Sequence, residues 1–438
     1  MKERVTLGVV CLARHTFDYT AALDLYKGII KDMQNLEEVN LVAVEEQVIE
    51  VEDARAAGAR FLAEQIDGLV VISGTFHLGH LVLELDKMLH VPILLWGLPE
   101  LPYNGGKIRL NSVCGVNLNS SNLYKSGNKS YYVHIGSQIN TDWVDAVRIK
   151  AAFKKAHLGV LGYRARGFFN LGVYDLNVFS QMGILIDHFE LSEVWNYPVE
   201  QSAIEKRKQQ VTEIFDVTEL TEYQLNKVAE LTAKLHQFME DHKLTALAIR
   251  CWPEFAAEFD TSPCAAMSIL QSEHTILTCE GDVEGSLSMV AHRAVGGVTP
   301  YLFDFSQVDL EENTALLWHC GVAPCNLWDG RCTRSLSTYF AGGKGVTADF
   351  VLKDGDISVL RIDSDRTTYR LFLAEGSVIP MAKELRGTYM KTRFSKPIDQ
   401  LLTTITDNGI AHHASVVYGQ FIQPLRIFGK IQGWEVIE

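Results

Sequence analysis

Apolar residues in the first hundred positions come in short runs separated by longer amphipathic stretches. Val5–Leu12 is nearly continuous, Thr16–Met33 has amphipathic helical character, and Val39–Val44 is apolar again. Ala54–Gln65 has helical composition, residues 67–73 form a second short run, Leu78–Leu89 is helical, and Val91–Trp96 closes the series. Short apolar runs bounded by turns read as strands buried on both faces, and their alternation with helices predicts a doubly wound parallel sheet. Sites in such sheets lie beyond the carboxyl ends of the strands. Those ends are Ala13-Arg14-His15, Gly74-Thr75-Phe76-His77 and Gly97-Leu98-Pro99-Glu100.

A polar stretch, residues 117–130, interrupts the pattern, and the alternation then resumes. His157–Gly162 and Gly183–Asp187 read as strands, and Ile204–His242 is largely helical. Leu244–Arg250, Thr275–Cys279, Tyr301–Phe305 and Ala315–Trp318 read as further strands of this second α/β unit, with helices at Cys264–Gln271 and Val283–Ala294. From about residue 335 the period changes to two, in Gly343–Lys353, Ile357–Asp363 and Thr367–Glu375. Lys353-Asp354-Gly355-Asp356 has the composition of a hairpin turn. The expectation is an α/β protein of three domains. Two doubly wound parallel-sheet domains, residues 1–150 and 151–334, precede a mostly-β domain, residues 335–438, built as a small barrel or sandwich. At 438 residues, more than one core is expected in any case.

Composition narrows the function. A net charge of −14 disfavours nucleic acid and anionic membrane surfaces, both of which call for a basic face. No apolar run reaches the length of a transmembrane helix, and no apolar leader with a small-residue cleavage site follows the first residues. The eight cysteines are scattered without a CxxC pair. They read as buried thiols, which implies the cytoplasm. The dinucleotide fingerprint, the phosphate loop, HExxH and the nucleophile elbow are all missing. Gly342-Gly343-Lys344-Gly345 is glycine-rich but opens a β segment instead of a helix, so it is a weak phosphate loop.

Chemistry gathers at strand ends. Pro253 stops the apolar run Leu247–Arg250 from continuing as a regular strand, which leaves Glu254 just beyond its carboxyl end. The plain alternative is a solvated loop carboxylate. One strand later, Cys279-Glu280-Gly281-Asp282 ends a strand in two carboxylates before a helix starts at Val283. Asp282 is well placed to cap that helix, whereas Glu280 is not a usual cap. Carboxylates at two adjacent strand ends repel one another unless a cation lies between them. His319 ends another strand, and His412 and His413 follow Gly409 in a loop of the β tail. Carboxylates with imidazole suit first-row divalent ions, and mainly oxygen donors favour the harder ones.

Taken in order, Asn111-Ser112-Val113-Cys114-Gly115, Arg250-Cys251-Trp252-Pro253-Glu254, Cys264-Ala265-Ala266-Met267-Ser268 and Cys279-Glu280-Gly281-Asp282 resemble motifs of the L-fucose isomerase and L-arabinose isomerase superfamily. Trp318-His319-Cys320-Gly321 and Gly409-Ile410-Ala411-His412-His413 complete the resemblance, which is nearest to fucose isomerase-like proteins. It implies two flavodoxin-like domains followed by a β-barrel domain. It also implies a divalent metal, usually Mn²⁺, held by two carboxylates and a late histidine. Carried over, Glu254 is the first carboxylate, Asp282 or Glu280 the second, and His413 the imidazole, with His412 as its alternative. Trp252, His319, His412 and Arg14 would face the sugar, Arg14 from a neighbouring subunit of a homo-oligomer. The implied activity is aldose–ketose isomerisation of a free sugar through an enediol, with Glu254 and Asp282 moving protons. One rival is an isomerase for a sulfonated or phosphorylated hexose, with Arg14, Arg164, Arg166 and Arg250 as candidate anion partners. A second is a sugar-binding regulatory protein without turnover, and a third is a lyase or epimerase sharing the enediolate.

Overall fold

Strand β1 (Val5–Leu12) lies inside a five-stranded parallel sheet with β2 (Val39–Ala43), β3 (Gly68–Ser73), β4 (Ile93–Gly97) and β5 (Tyr131–Ile135). The order is β2-β1-β3-β4-β5, that of doubly wound flavodoxin-like sheets. Every residue of β3 and β4 is buried, as expected for strands covered on both faces by helices. The helix after β1 begins at Tyr19, later than its apolar pattern suggests, because Asp18 caps it, accepting from the Ala21 N–H at 3.1 Å. The polar stretch before β5 is largely helical, over Ser112–Lys125. Its inward face includes Ser112, Gly115 and Asn119 beside Val116 and Leu123, so its buried side carries little apolar signal.

A computed structural model describes residues 2–338 and 343–438. These divide into two compact units, residues 2–151 with 423–435 and residues 152–422 with 436–438. The five-stranded sheet belongs to the first.

The second unit contains a four-stranded parallel sheet, in the order β7-β6-β8-β9. Its strands are β6 (His157–Leu161), β7 (Leu185–Phe189), β8 (Ala246–Ile249) and β9 (Ile276–Cys279). Phe238, Leu247, Ile249, Phe255, Met267 and Leu277 lie in the core on one side of it. β8 and β9 are neighbours in register, Ile249 opposite Cys279, so the chain leaves both at the same edge of the sheet.

A nine-stranded mixed sheet takes up most of the rest. Its strands are β10 (Tyr301–Asp309), β11 (Thr314–His319), β12 (Ser335–Thr338), β13 (Val346–Val351), β14 (Gly355–Asp365), β15 (Thr368–Ile379), β16 (Thr388–Phe394), β17 (His413–Tyr418) and β18 (Glu435–Ile437). β10 and β11, expected in the second parallel sheet, belong here instead. They form an antiparallel hairpin, and a connection that short cannot join neighbouring parallel strands. The turn expected at residues 353–356 does not join two paired strands either. β13 pairs with β12 and β16, while β14 pairs with β15 and β17. Pairing runs β16-β11-β10-β17-β14-β15, and β15 also pairs with β16. The tail carries helices at Ile398–Asp407 and Ile422–Gln432, and His413 opens a strand instead of lying in a loop. Of the glycine-rich segment, Gly342 lies outside the described residues, and Lys344 is paired with Asp260 at 3.1 Å. Among the described residues, no helix is long and apolar enough to cross a membrane.

Candidate metal centre

β9 ends at Cys279, and the next two residues take left-handed conformations, Glu280 with φ 64° and Gly281 with φ 74°. A glutamate there is uncommon and strained, the kind of backbone that persists where surroundings over-determine it. The surroundings are tight. The Gly281 N–H donates to the Ile249 carbonyl at 3.0 Å, and the Glu280 carbonyl accepts from Ala165 at 2.9 Å. A Cβ on Gly281 would stand 2.4 Å from the Tyr163 oxygen, so only glycine fits. The outcome is a Glu280 side chain turned toward β17. Trp252 Nε1 donates to Glu280 Oε1 at 3.2 Å, and Oε2 lies 3.2 Å from His413 Nε2 and 3.6 Å from His412 Nε2.

Asp282 is placed differently. It is wholly buried and caps the helix Val283–Ala294, with Oδ1 accepting from the Gly285 N–H at 2.8 Å. Its Oδ2 accepts from Arg361 Nη1 at 2.5 Å and faces His413 Nδ1 at 2.9 Å. Arg361 is also buried, and reaches Glu284 at 3.2 Å and Asp363 at 3.7 Å. Both oxygens of Asp282 are therefore engaged. Burial alone would raise its pKa, but Arg361 and His413 outweigh that and hold it well below the usual carboxylate range. Glu284 has the same burial and the same Arg361 but no bond from His413, and the charges of Asp363 and Asp282 oppose its ionisation, so its pKa is pushed up to about 7.

β10 brings in a residue that the pattern of the chain conceals. Asp304 sits directly across from His413 in the antiparallel β10–β17 pair, which places both side chains on one face. Its Oδ1 is 3.5 Å from His413 Nε2. The His319 ring, from the end of β11, stacks on His413 with centroids 5.6 Å apart. Potential ligand atoms of Glu280, His412 and His413 lie within 4.8 Å of one another, as do those of Asp304, His319 and His413. His413 is common to both groups.

Asp304 Oδ1, His319 Nε2 and His413 Nε2 are all buried without a hydrogen-bond partner. Buried polar atoms are rarely left so, since each costs about 1–3 kcal/mol unless something binds it. Donation from Nδ1 to Asp282 leaves the His413 Nε2 lone pair free toward the centre, the usual way a carboxylate orients a metal-bound histidine. The electrostatics agree. Burial would depress the His413 imidazole, yet its bond to Asp282 and the carboxylates of Glu280 and Asp304 beside it carry it up to about 10. Burial likewise lowers His319, and Asp304 and Cys320 together more than reverse this. The cluster favours positive charge, as a proton or as a cation. Oxygen donors with imidazole fit a divalent ion.

The sequence-derived candidates thus separate. Glu280, His412 and His413 come together, with His319 stacked on His413 and Trp252 bonded to Glu280. Asp282 stands behind His413. Glu254 begins a short helix at the neighbouring strand end, with its carboxylate 3.2 Å from Arg250 Nε. Arg14 follows β1 in the other unit, where its N–H donates to Thr75 Oγ1 at 2.9 Å. Asp304 and Arg361 were missed. The one hint in the sequence is a lone carboxylate between two phenylalanines, in Phe303-Asp304-Phe305.

Residues 8–145 match the family described as "Fucose/sulfoquinovose isomerase, N-terminal domain", and residues 329–438 match "L-fucose isomerase, C-terminal domain". Over 450 residues the chain is 26% identical to the sulfoquinovose isomerase of Priestia megaterium, covering 99% of each chain. It is 25% identical over 388 residues to that of Alkalicoccus urumqiensis, covering 85% of this chain and 86% of the other. A third, from Clostridium sp., is 23% identical over 340 residues, covering 75% and 76%. The motifs quoted from the sequence, both terminal matches and these relatives agree: the chain belongs to the fucose isomerase-like family.

Proposed function

We propose that this aldose–ketose isomerase holds a divalent cation between Glu280, Asp304 and His413, and that its substrate is a sulfonated hexose. The observation that carries the metal assignment is that two groups of potential ligand atoms, one with Glu280 and one with Asp304, share His413. Two carboxylates and one imidazole favour a hard ion, and we assign Mn²⁺. When bound, such an ion supplies a Lewis acid for the carbonyl and hydroxyl oxygens at C1 and C2. The substrate class follows the named relatives, all of which are sulfoquinovose isomerases.

The chain's own residues divide the remaining work. Asp282 fixes the His413 ring through Nδ1 and is itself fixed by Arg361. Glu280 stays ionised, because the imidazoles of His412 and His413 beside it outweigh the effect of its burial. It is assigned to move the proton between C1 and C2, with Trp252 holding Oε1. Asp304, whose side chain is 25% exposed, is assigned to relay protons between the sugar oxygens. His412 and His319 bound the sugar. Glu254 is assigned to sugar hydroxyls, because Arg250 already faces its carboxylate.

Finer features of the reading go with it. The circuit of pairings β16-β11-β10-β17-β14-β15-β16 supports a closed barrel within the C-terminal domain, after parallel-sheet domains near residues 1–150 and 151–334. Eight free cysteines support a cytoplasmic location. A homo-oligomer that shares its sites, with Arg14 reaching a neighbour's sugar, completes the reading.

The test is incubation with Mn²⁺ and sulfoquinovose, neutral aldoses and deoxy-sugars in deuterated water, followed by detection of ketose. Deuterium on C1 or C2 supports proton transfer, and its absence supports a hydride shift. A protein that carries no divalent metal and forms no ketose with added Mn²⁺ would instead be the sugar-binding rival.

A further inference from the structure

After β6 the chain runs through residues 162–172 and forms one wall of the metal centre. Its near part rests on the strand end that carries Glu280: Ala165 donates to the Glu280 carbonyl, and Arg164 Cα would lie 2.6 Å from a Cβ at Gly281. Its far part rests on the histidine side. The Phe168 ring is 5.3 Å from that of His412 and 6.0 Å from that of Trp252, and Asn170 Nδ2 is 3.2 Å from His412 Nδ1.

Two arginines stand in this wall without an acid. Arg164 Nη1 donates to the Tyr163 hydroxyl at 2.7 Å, and its guanidinium lies over the rings of Tyr163 and Phe169 at 5.0 and 5.3 Å. Its Nε is buried with no partner. Arg166 is exposed, and neither it nor Arg164 makes an ion pair among the described residues. Several other arginines are committed to acids. Arg109, Arg148, Arg207, Arg331, Arg361 and Arg370 each face a carboxylate at 3.0 Å or closer. What sets Arg164 apart is its place: its guanidinium is held between aromatic rings, with no carboxylate on it, next to the strand end that carries Glu280. Aromatic stacking holds the Arg164 plane while leaving its donors available, and a planar fork of that kind suits a tetrahedral oxyanion.

We infer that Arg164, supported by Arg166, binds the anionic substituent of the sugar at the end remote from C1 and C2, and that this substituent is a sulfonate. The inference rests on the isomerase reading above and gives the substrate preference a structural cause. One half-buried guanidinium, with Arg166 at the solvent edge, matches a monoanionic sulfonate better than a phosphate of higher charge.

The experiment compares sulfoquinovose, glucose 6-phosphate and neutral 6-deoxyglucose as substrates of the Mn²⁺-loaded protein, with Arg164→Gln, Arg164→Lys and Arg166→Gln alongside wild type. Wild type is expected to favour sulfoquinovose over the neutral sugar in kcat/KM by about 30-fold or more, as for a charged hydrogen-bonded partner. Arg164→Gln should erase most of that ratio, chiefly through KM, Arg164→Lys should keep part of it, and Arg166→Gln should reduce it less. Equal kcat/KM for sulfonated and neutral sugars in wild type, or a ratio unmoved by Arg164→Gln, overturns the proposal. A preference for the phosphate ester overturns the sulfonate assignment. If wild type turns over no sugar, the isomerase reading fails. Calorimetry of sulfoquinovose binding then decides this proposal separately: binding lost in Arg164→Gln upholds it, and no binding to wild type overturns it.

Discussion

Asp282→Asn separates a carboxylate that holds a ligand from one that is a ligand. The substitution keeps the shape and a good helix cap, since asparagine and aspartate cap equally well. What it removes is the charge between Arg361 and His413, at 2.5 and 2.9 Å, in a wholly buried place. Removing one partner of a buried pair costs about 3–5 kcal/mol. The amide retains some hydrogen bonding, so the lower end of that range applies. For a unit of this size that is a drop in Tm of roughly 6–12 °C, at about 2–4 °C per kcal/mol. The His413 ring loses its fixed tautomer, and changes of this kind behind a metal ligand weaken affinity about 10–100-fold. Glu280→Gln, in contrast, should remove nearly all Mn²⁺ binding with a smaller loss of stability. Thermal unfolding of the metal-free proteins and Mn²⁺ titration by calorimetry measure the two quantities. If Asp282→Asn abolishes Mn²⁺ binding as completely as Glu280→Gln, Asp282 is itself a metal ligand and not a support behind His413. If affinity is untouched while stability falls, the Asp282–His413 bond has no bearing on the metal.

Asp304→Asn should lower Mn²⁺ affinity at least tenfold, whereas Glu254→Gln should leave it within about threefold and raise KM; the reverse order in a Mn²⁺ titration would return Glu254 to the metal. Gly281→Ala meets the Tyr163 oxygen at 2.4 Å in a backbone with φ 74°, so unfolding stability should fall by more than about 2 kcal/mol, and an unchanged denaturation midpoint would refute the close approach. Burial holds His77 neutral, with a pKa lowered to about 4 despite the Leu78 carbonyl, and the charge of His80 adds to the effect. A base depressed on folding contributes fully above its unfolded pKa of about 6.5 and loses the contribution as pH falls toward 4, here up to roughly 3 kcal/mol. Denaturant unfolding of wild type should therefore weaken over that window more steeply than that of His77→Gln, and parallel profiles would refute the assignment.

The parallel sheets were legible because their strands are buried on both faces and so form unbroken apolar runs. Val5–Leu12 matches β1 to the residue, and Val283–Ala294 matches its helix. The residues 112–125 hid because the buried face of that helix is built partly from Ser112, Gly115 and Asn119. The strands at 301 and 315 were visible as strands but not as members of the mixed sheet, since an apolar run does not say whether its partner is parallel. The metal centre shows the same division. Its Glu280 and late histidines lay at strand ends and in motifs, where sequence points to chemistry. Asp304 depends on a register, its pairing across from His413, and no local pattern encodes a partner over a hundred positions away. Asp282 and Glu280 are two positions apart, and their different partners follow from which way a left-handed turn at Glu280 and Gly281 aims each carboxylate.

Placement of charge in the second unit follows one logic. A cluster meant to take a divalent cation must keep its carboxylates ionised without letting nearby cations neutralise them. Arg361 lies beside the cluster, yet its guanidinium is directed to Asp282, Glu284 and Asp363, on the far side of His413. Asp282 passes that anchoring forward only as orientation of the imidazole, so the negative charge facing the centre comes from Glu280 and Asp304. Arg164 obeys the complementary rule. Stacked on Tyr163 and Phe169 and bonded to a neutral hydroxyl, it is held near the cluster without an ion pair. An arginine free to swing would find a carboxylate, and the aromatic clamp prevents it. On the proposed reading, cation site and anion site stand side by side, each left open for an opposite charge. A metal ion and an anionic sugar are the pair of ligands that such an arrangement fits.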